Sequence, residues 1–210
     1  MYRYFIHPPF WVRLLYPRRL WRVETHEKIL YLTFDDGPHP LITPFVLDLL
    51  NEYHAKASFF CIGQRVEQYP LIYERIVKEG HRVGNHTYTH VNGWKTPDDH
   101  YENDIRQASL LIDSNLFRPP YGRLRFSQAG RVPKAMQRRD ARIVMWDLLS
   151  GDFDTSLTGQ DCLALCKNNW RSGSVIVLHD SEKAWDRLQV LLPALLAQAS
   201  REGYSFKALP

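Results

Sequence analysis

Seven short apolar runs, at residues 29–34, 57–61, 82–84, 116–118, 142–146, 174–178 and 204–208, recur along this chain of 210 residues with helical stretches between them. Runs of this length, bounded by turn and helix-start residues, read as buried strands; the third and fourth are the shortest. Helix-start signals fall in the intervals: Thr43 before Pro44, Tyr69 before Pro70, Thr96 before Pro97 with Asp99 close behind, Ser127, and Thr158 before Asp161. Gly80 and Gly203 supply stops. Regular alternation of strand and helix implies a parallel sheet. The absence of a dinucleotide-type glycine fingerprint favours a seven-stranded (β/α) barrel, TIM-barrel-like, over an open doubly wound sheet.

With 44% hydrophobic and 13% aromatic residues the chain can bury one sizeable core, and no linker or low-complexity stretch divides it. One barrel is expected over residues 24–210, preceded by an aromatic and basic segment over 1–23. That segment sets Arg3, Arg13, Arg18, Arg19 and Arg22 among Phe5, Phe10, Trp11, Tyr16 and Trp21. His7, Pro8, Pro9 and Arg13 interrupt every apolar run before it reaches the length of a signal-peptide core, and no transmembrane span is evident. Cytoplasmic residence is therefore the default expectation, with cell-envelope association as the alternative. The segment either packs on the barrel or makes a peripheral membrane contact. Net charge is +4, but no nucleic-acid motif or concentrated basic stripe accompanies it, so no nucleic-acid partner is expected. Cys61, Cys162 and Cys166 form no even framework and read as buried thiols. Nothing in the sequence fixes an oligomeric state.

Asp35 and Asp36 close the first apolar run and are followed by Gly37-Pro38. Two adjacent carboxylates at a strand tip repel each other unless a cation or a shared proton relieves them. His86 and His90 stand four apart, a spacing at which one helical turn would aim both imidazoles at one point, and Asp36 could be a third ligand of a zinc-type ion. Nine histidines in this length give roughly 0.4 such pairs by chance, so spacing alone is weak. Position is stronger. Asp35 and Asp36 follow strand one, His86 strand three, Arg118 closes strand four, Asp147 and Asp152 follow strand five, and His179 follows strand six. In a parallel barrel these C-terminal strand ends share one rim, where active sites lie.

Five segments in order, Thr33-Phe34-Asp35-Asp36-Gly37-Pro38, His86-Thr87-Tyr88-Thr89-His90, Arg118-Pro119-Pro120-Tyr121-Gly122, Gly151-Asp152-Phe153 and Val177-Leu178-His179-Asp180, resemble the motifs of polysaccharide deacetylases of the NodB-homology type, carbohydrate esterase family four. The resemblance implies a distorted seven-stranded (β/α) barrel. It implies one divalent metal ion, zinc or alternatively cobalt or nickel, held by Asp36, His86 and His90. Asp35 is then the general base tethered by Arg118, and His179 the general acid held by Asp152, for which Asp147 is the competing candidate. The backbone N–H of Tyr121 faces the oxyanion, and Tyr121, Phe153 and Val177 line the substrate pocket. Phe153 and Val177 stand where the family often has tryptophan and leucine. The implied reaction is removal of N-acetyl groups from an N-acetylated glycan, peptidoglycan, chitin-like or related, with release of acetate. The alternative is an amide hydrolase or O-acetyl esterase acting on a small, nucleotide-linked or lipid-linked substrate. Asp180 and His39 read as loop or cap residues, and Arg123 and Arg125 as exposed arginines beside a helix start.

Overall fold

The computed structural model describes residues 5–210; the first four residues of the N-terminal segment, Arg3 among them, lie outside it. Among the described residues the strands are β1 (Ile29–Asp35), β2 (Ser58–Cys61), β3 (Arg82–Asn85), β4 (Leu116–Phe117), β5 (Arg142–Ile143), β6 (Leu148–Leu149), β7 (Val175–His179) and β8 (Ser205–Phe206). The helices are α1 (Phe10–Leu15), α2 (Ile42–Glu52), α3 (Gly63–Gln68), α4 (Pro70–Lys78), α5 (Asp98–Ser109), α6 (Phe126–Ala129), α7 (Val132–Ala135), α8 (Gly159–Lys167) and α9 (Trp185–Arg201). Seven strands run side by side in the order β5-β4-β3-β2-β1-β7-β6, and β8 pairs with the first residues of β1. Every ladder is parallel. The sheet curls into a half-barrel whose end strands, β5 and β6, do not pair with each other.

Side-chain alternation explains how this sheet builds a site. Leu30, Leu32 and Phe34 of β1, with Ile176 and Leu178 of β7, pack outward against Leu47 and Leu50 of α2 and Leu188, Leu191, Leu192 and Leu195 of α9. The intervening residues Ile29 and Tyr31 join Phe60, Leu116, Val144 and Val175 in a second cluster, which fills the concave face. Because successive side chains alternate, Thr33 and Asp35 continue the inner stripe of β1, and Val177 and His179 that of β7. The inner face is therefore apolar at the bottom and turns polar at the C-terminal rim. Covered on both faces, β1 is buried along its whole length, which is why it reads as an unbroken apolar run.

Four local features depart from the sequence-based expectation. The run 142–146 is not one strand: it yields the two-residue β5, and a further short strand, β6, follows before Asp152, so Asp152 stands after β6. Thr43 does not start α2, which begins at Ile42; its hydroxyl instead accepts the His39 N–H and donates to Asp180. Ser127 lies inside α6, whose N-cap is Arg125. Other signals hold. Tyr69 caps α4 with Pro70 at its first position, and Thr158 with Asp161 forms a capping box on α8. All three cysteines are buried thiols.

Segment 5–23 lies against both open edges. The Ile6 carbonyl accepts the Leu149 N–H of β6 at 3.0 Å, and Leu20 bridges Val144 just beyond β5. Val23 then donates to Gly173. A Cβ at Gly173 would stand 1.9 Å from the Val23 carbonyl oxygen, and its φ is +82°, so only glycine lets the segment dock this closely.

Candidate active site

His86, directly after β3, and His90 do not sit on a helical turn. The 86–90 segment is a loop with Thr87 and His90 in the left-handed region, at φ 65° and 59°. Its shape is enforced from behind. Asn85 accepts the Thr87 N–H at 2.8 Å, while Asp104 on α5 accepts the N–H groups of Tyr88 and Thr89 and the Thr89 hydroxyl. This wrapped loop, not a helix face, turns both imidazoles toward Asp36. His90 Nε2 lies 3.1 Å and His86 Nε2 3.6 Å from Asp36 Oδ1, and one donor atom from each of the three residues fits within 4.8 Å of the others.

The chemistry of this donor set fits a divalent metal. His86 donates its Nδ1–H to the Arg118 carbonyl at 2.8 Å, leaving Nε2 free as a ligand. Burial pushes the His86 imidazole down to about 4, against the opposing pull of Asp35, so it is neutral near pH 7, as ligation requires. Burial alone would push the Asp36 carboxyl up, but the hydrogen bond from His90 and the neighbouring His179 and His86 outweigh it and hold Asp36 well below the usual carboxylate range.

Asp35, the last residue of β1, is 5% exposed and points into the same mouth. Arg118 Nη1 donates to Asp35 Oδ1 at 2.6 Å and to Thr33 Oγ1 at 2.7 Å, and Arg118 Nη2 donates to the Met145 carbonyl at 2.9 Å. The guanidinium rests on the Phe60 ring, 4.1 Å from its centroid. Buried and held on three sides, Arg118 leaves Asp35 one orientation.

Across the mouth, Asp152 takes both the Nδ1–H and the backbone N–H of His179, each at 2.7 Å. Burial pushes the His179 imidazole down, but Asp152 outweighs that and lifts it to about 10. Arg187 of α9 donates to the Asp152 carbonyl at 2.7 Å and braces the pair from behind. Asp147, the competing partner, is engaged elsewhere: Arg13, Arg171 and Ser174 hold its carboxylate. Phe153 meets the His179 ring edge-on at 5.4 Å. Val177 lies one inner-face place below His179 and is 2% exposed. Tyr121 is in the left-handed region at φ 60°, and its ring lies 4.7 Å from His90.

Sequence reasoning passed over Asn85, Asp104 and Arg187, and read Asp180 only as a loop or cap residue. Asp104 left a signal: it stands among Tyr101, Ile105 and Ala108 on the buried side of α5, where a carboxylate needs a partner. Asp180, fully buried, accepts the Gly37 N–H at 3.1 Å and the Thr43 hydroxyl. A Cβ at Gly37 would stand 2.1 Å from the Asp180 carboxylate, so glycine after the two aspartates is a packing requirement. Arg125 pairs with Asp98, and Arg123 lies over the Trp94 ring.

Comparison with known proteins agrees with this geometry. The polysaccharide deacetylase family model matches residues 22–138. A peptidoglycan-N-acetylglucosamine deacetylase of Bacillus cereus is 34% identical over 192 residues, covering 89% of this chain and 88% of its own length. A chitooligosaccharide deacetylase of Azorhizobium caulinodans is 30% identical over 211 residues, covering 90% and 96% respectively. The crystal structure of a peptidoglycan N-acetylglucosamine deacetylase bound to 4-naphthalen-1-yl-N-oxidanyl-benzamide superposes with a TM-score of 0.83 at 30% identity, over 95% of this chain and 94% of that one. The aspartate pair, the two histidines and the arginine all fall inside the matched span, and the chain belongs to the polysaccharide deacetylase family, hydrolases of C–N amide bonds.

Proposed function

We propose that this protein is a metal-dependent deacetylase that removes N-acetyl groups from an amino-sugar polymer or oligomer, a peptidoglycan or chitin-like glycan, giving acetate and a free amine. The observation that carries the reading is the convergence, on one rim, of a three-donor cluster, an arginine-held carboxylate and a carboxylate-held imidazole. The names of the relatives support the substrate class.

Asp36, His86 and His90 would hold the ion, zinc or alternatively cobalt or nickel, which when bound supplies the Lewis acidity that acidifies water and polarises the amide carbonyl. Asp35 takes the proton of the attacking water, and Arg118 fixes the carboxylate in the orientation that receives it. His179, cationic against Asp152, delivers a proton to the departing amine nitrogen, a poor leaving group without it. The N–H of Tyr121, turned by its left-handed backbone, faces the oxyanion of the tetrahedral intermediate. The Tyr121 ring, Phe153 and Val177 form the wall against the acetyl group and sugar. A cavity beside the cluster, of about 270 Å³ and lined by Asp36, His39, Ile62, Arg65, His90 and Asp180 among others, leaves room for further sugar.

The test is acetate release from N-acetylglucosamine oligomers and peptidoglycan by metal-stripped protein, zinc-restored protein and Asp35→Asn. Zinc should restore release, and Asp35→Asn should cut kcat by roughly 10²- to 10⁴-fold. Zinc-restored release that survives Asp35→Asn would remove Asp35 as the base. No acetate from any glycan would move the substrate to small amides or esters.

A further inference from the structure

Helix α1 is amphipathic in the reverse sense. At 100° per residue, Phe10, Trp11, Leu14 and Leu15 occupy one arc of about 140°, with Arg13 on the opposite side. In an ordinary surface helix the apolar arc faces the core. Here Phe10 is 76% exposed, Trp11 52%, Leu14 72% and Leu15 61%, and no residue of the helix is buried. Phe5, 68% exposed, precedes it. The polar side chain turns inward: Arg13 Nη2 reaches the wholly buried Asp147 carboxylate at 2.6 Å. His7 Nδ1–H donates to the Asp147 carbonyl at 2.6 Å, and Leu149 to the Ile6 carbonyl at 3.0 Å, so the helix is pinned with its apolar face outward. A contiguous exposed apolar surface of this kind marks an interaction site.

Charge identifies the partner. The first 23 residues carry five arginines and no aspartate or glutamate, and Arg18 is exposed just past the helix. Arg13 is spent on Asp147, so the charge at the edge of the face is that of Arg18, with Arg19 and Arg22 half-buried beyond it. A second copy of the chain would bring like charge against it, whereas an anionic lipid surface complements it. Phe, Trp and Leu beside arginine are the side chains that settle at the boundary between headgroups and acyl chains. No helix of the described residues is long and apolar enough to cross a membrane, so the contact is peripheral. We propose that the exposed face of Phe5, Phe10, Trp11, Leu14 and Leu15, with Arg18 at its edge, docks the protein on an anionic lipid bilayer.

The experiment is co-sedimentation of the full chain with phosphatidylcholine vesicles containing or lacking phosphatidylglycerol, at low and high salt. The protein should pellet with the anionic vesicles, less so as salt rises, and at least tenfold more weakly with neutral ones. Phe10→Ser/Trp11→Ser/Leu14→Ser should weaken binding tenfold or more, and Arg18→Glu several-fold, while both keep the circular dichroism melt and the acetate release from soluble oligomers of the parent. Failure of the parent chain to pellet with anionic vesicles overturns the proposal, as does unchanged pelleting of the triple variant. Sedimentation velocity supplies a third arm: a dimer dispersed by the triple variant, without vesicle binding, would make the face a self-association surface and overturn the lipid assignment.

Discussion

His179 and Asp152 show how one contact sets a residue's chemistry. A buried imidazole alone would lose its proton near neutrality, yet the Asp152 charge and the Nδ1–H bond to it, with smaller help from Asp36 and Asp35, lift it to about 10. A general acid must be protonated to act, so kcat/KM should hold through neutral pH and fall as pH rises through about 10. Asp152→Asn keeps a hydrogen-bonding group but removes the charge. It should move that alkaline limb down by roughly one to three pH units, while zinc affinity measured by calorimetry stays put. An unmoved limb would mean that another group sets it. At this scale the sequence was informative because the chemistry needs particular residue types: Asp35, Asp36, His86, His90, Arg118 and His179 are all readable by type and place. The choice between Asp152 and Asp147 was not, because both follow the same apolar run and only the fold reveals that Arg13 and Arg171 already occupy Asp147.

Elements decide what residue types cannot. The 86–90 loop takes its shape from α5, sixteen residues from Tyr88, through Asp104. Asp104→Ala should leave the three ligands in place but release the loop, lowering zinc affinity about 10- to 100-fold, the usual cost of losing a group that orients ligands. An Asp104→Asn variant, which keeps one acceptor, should recover part of the loss; equal affinity in all three proteins would show that the loop needs no brace. A second test concerns the bottom of the sheet, where His81 Nδ1 accepts the Ala57 N–H at 3.1 Å and burial pushes the imidazole down to about 4. The unfolded chain binds this proton near 6.5 and the folded chain only near 4, so His81 leaves stability undiminished above about 6.5 and subtracts from it as pH falls toward 4. The loss should be on the order of 2 to 3 kcal/mol in urea unfolding, with a flatter slope in His81→Asn, whose side-chain oxygen keeps the acceptor without titrating. Boundaries were legible where local chemistry fixes them, as at Thr158 and Pro70. They were not where a side chain had distant work: Thr43 looks like a cap in sequence because its partner, Asp180, is 137 residues away.

For the whole molecule, alternation of strands and helices announced a parallel barrel, but not that the barrel stays open between β5 and β6 or that the chain's own N-terminal segment lies against both edges. That arrangement depends on Asp147. Burial would push its carboxyl up, but hydrogen bonds from Arg171, Ser174 and Arg13 outweigh it and hold it below the usual range. A carboxylate held low contributes stability that is present above its unfolded value, near 4, and is lost as pH falls through the folded one. Arg13→Ala removes one of those donors and the only charged tether of α1, while Arg171 and Ser174 remain, so it should cost about 1.5 to 3 kcal/mol at pH 7, the range for a hydrogen bond to a charged group. The same substitution in an Asp147→Asn background should cost much less, because the charge that Arg13 answers is gone. Urea unfolding of the four proteins of this cycle, repeated near pH 3, checks both statements: the coupling should be large at pH 7 and shrink in acid. Equal penalties in the two backgrounds would mean that Arg13 acts through packing, and that the segment's hold on the barrel edges rests on the backbone bonds of Ile6, Leu20 and Val23 instead.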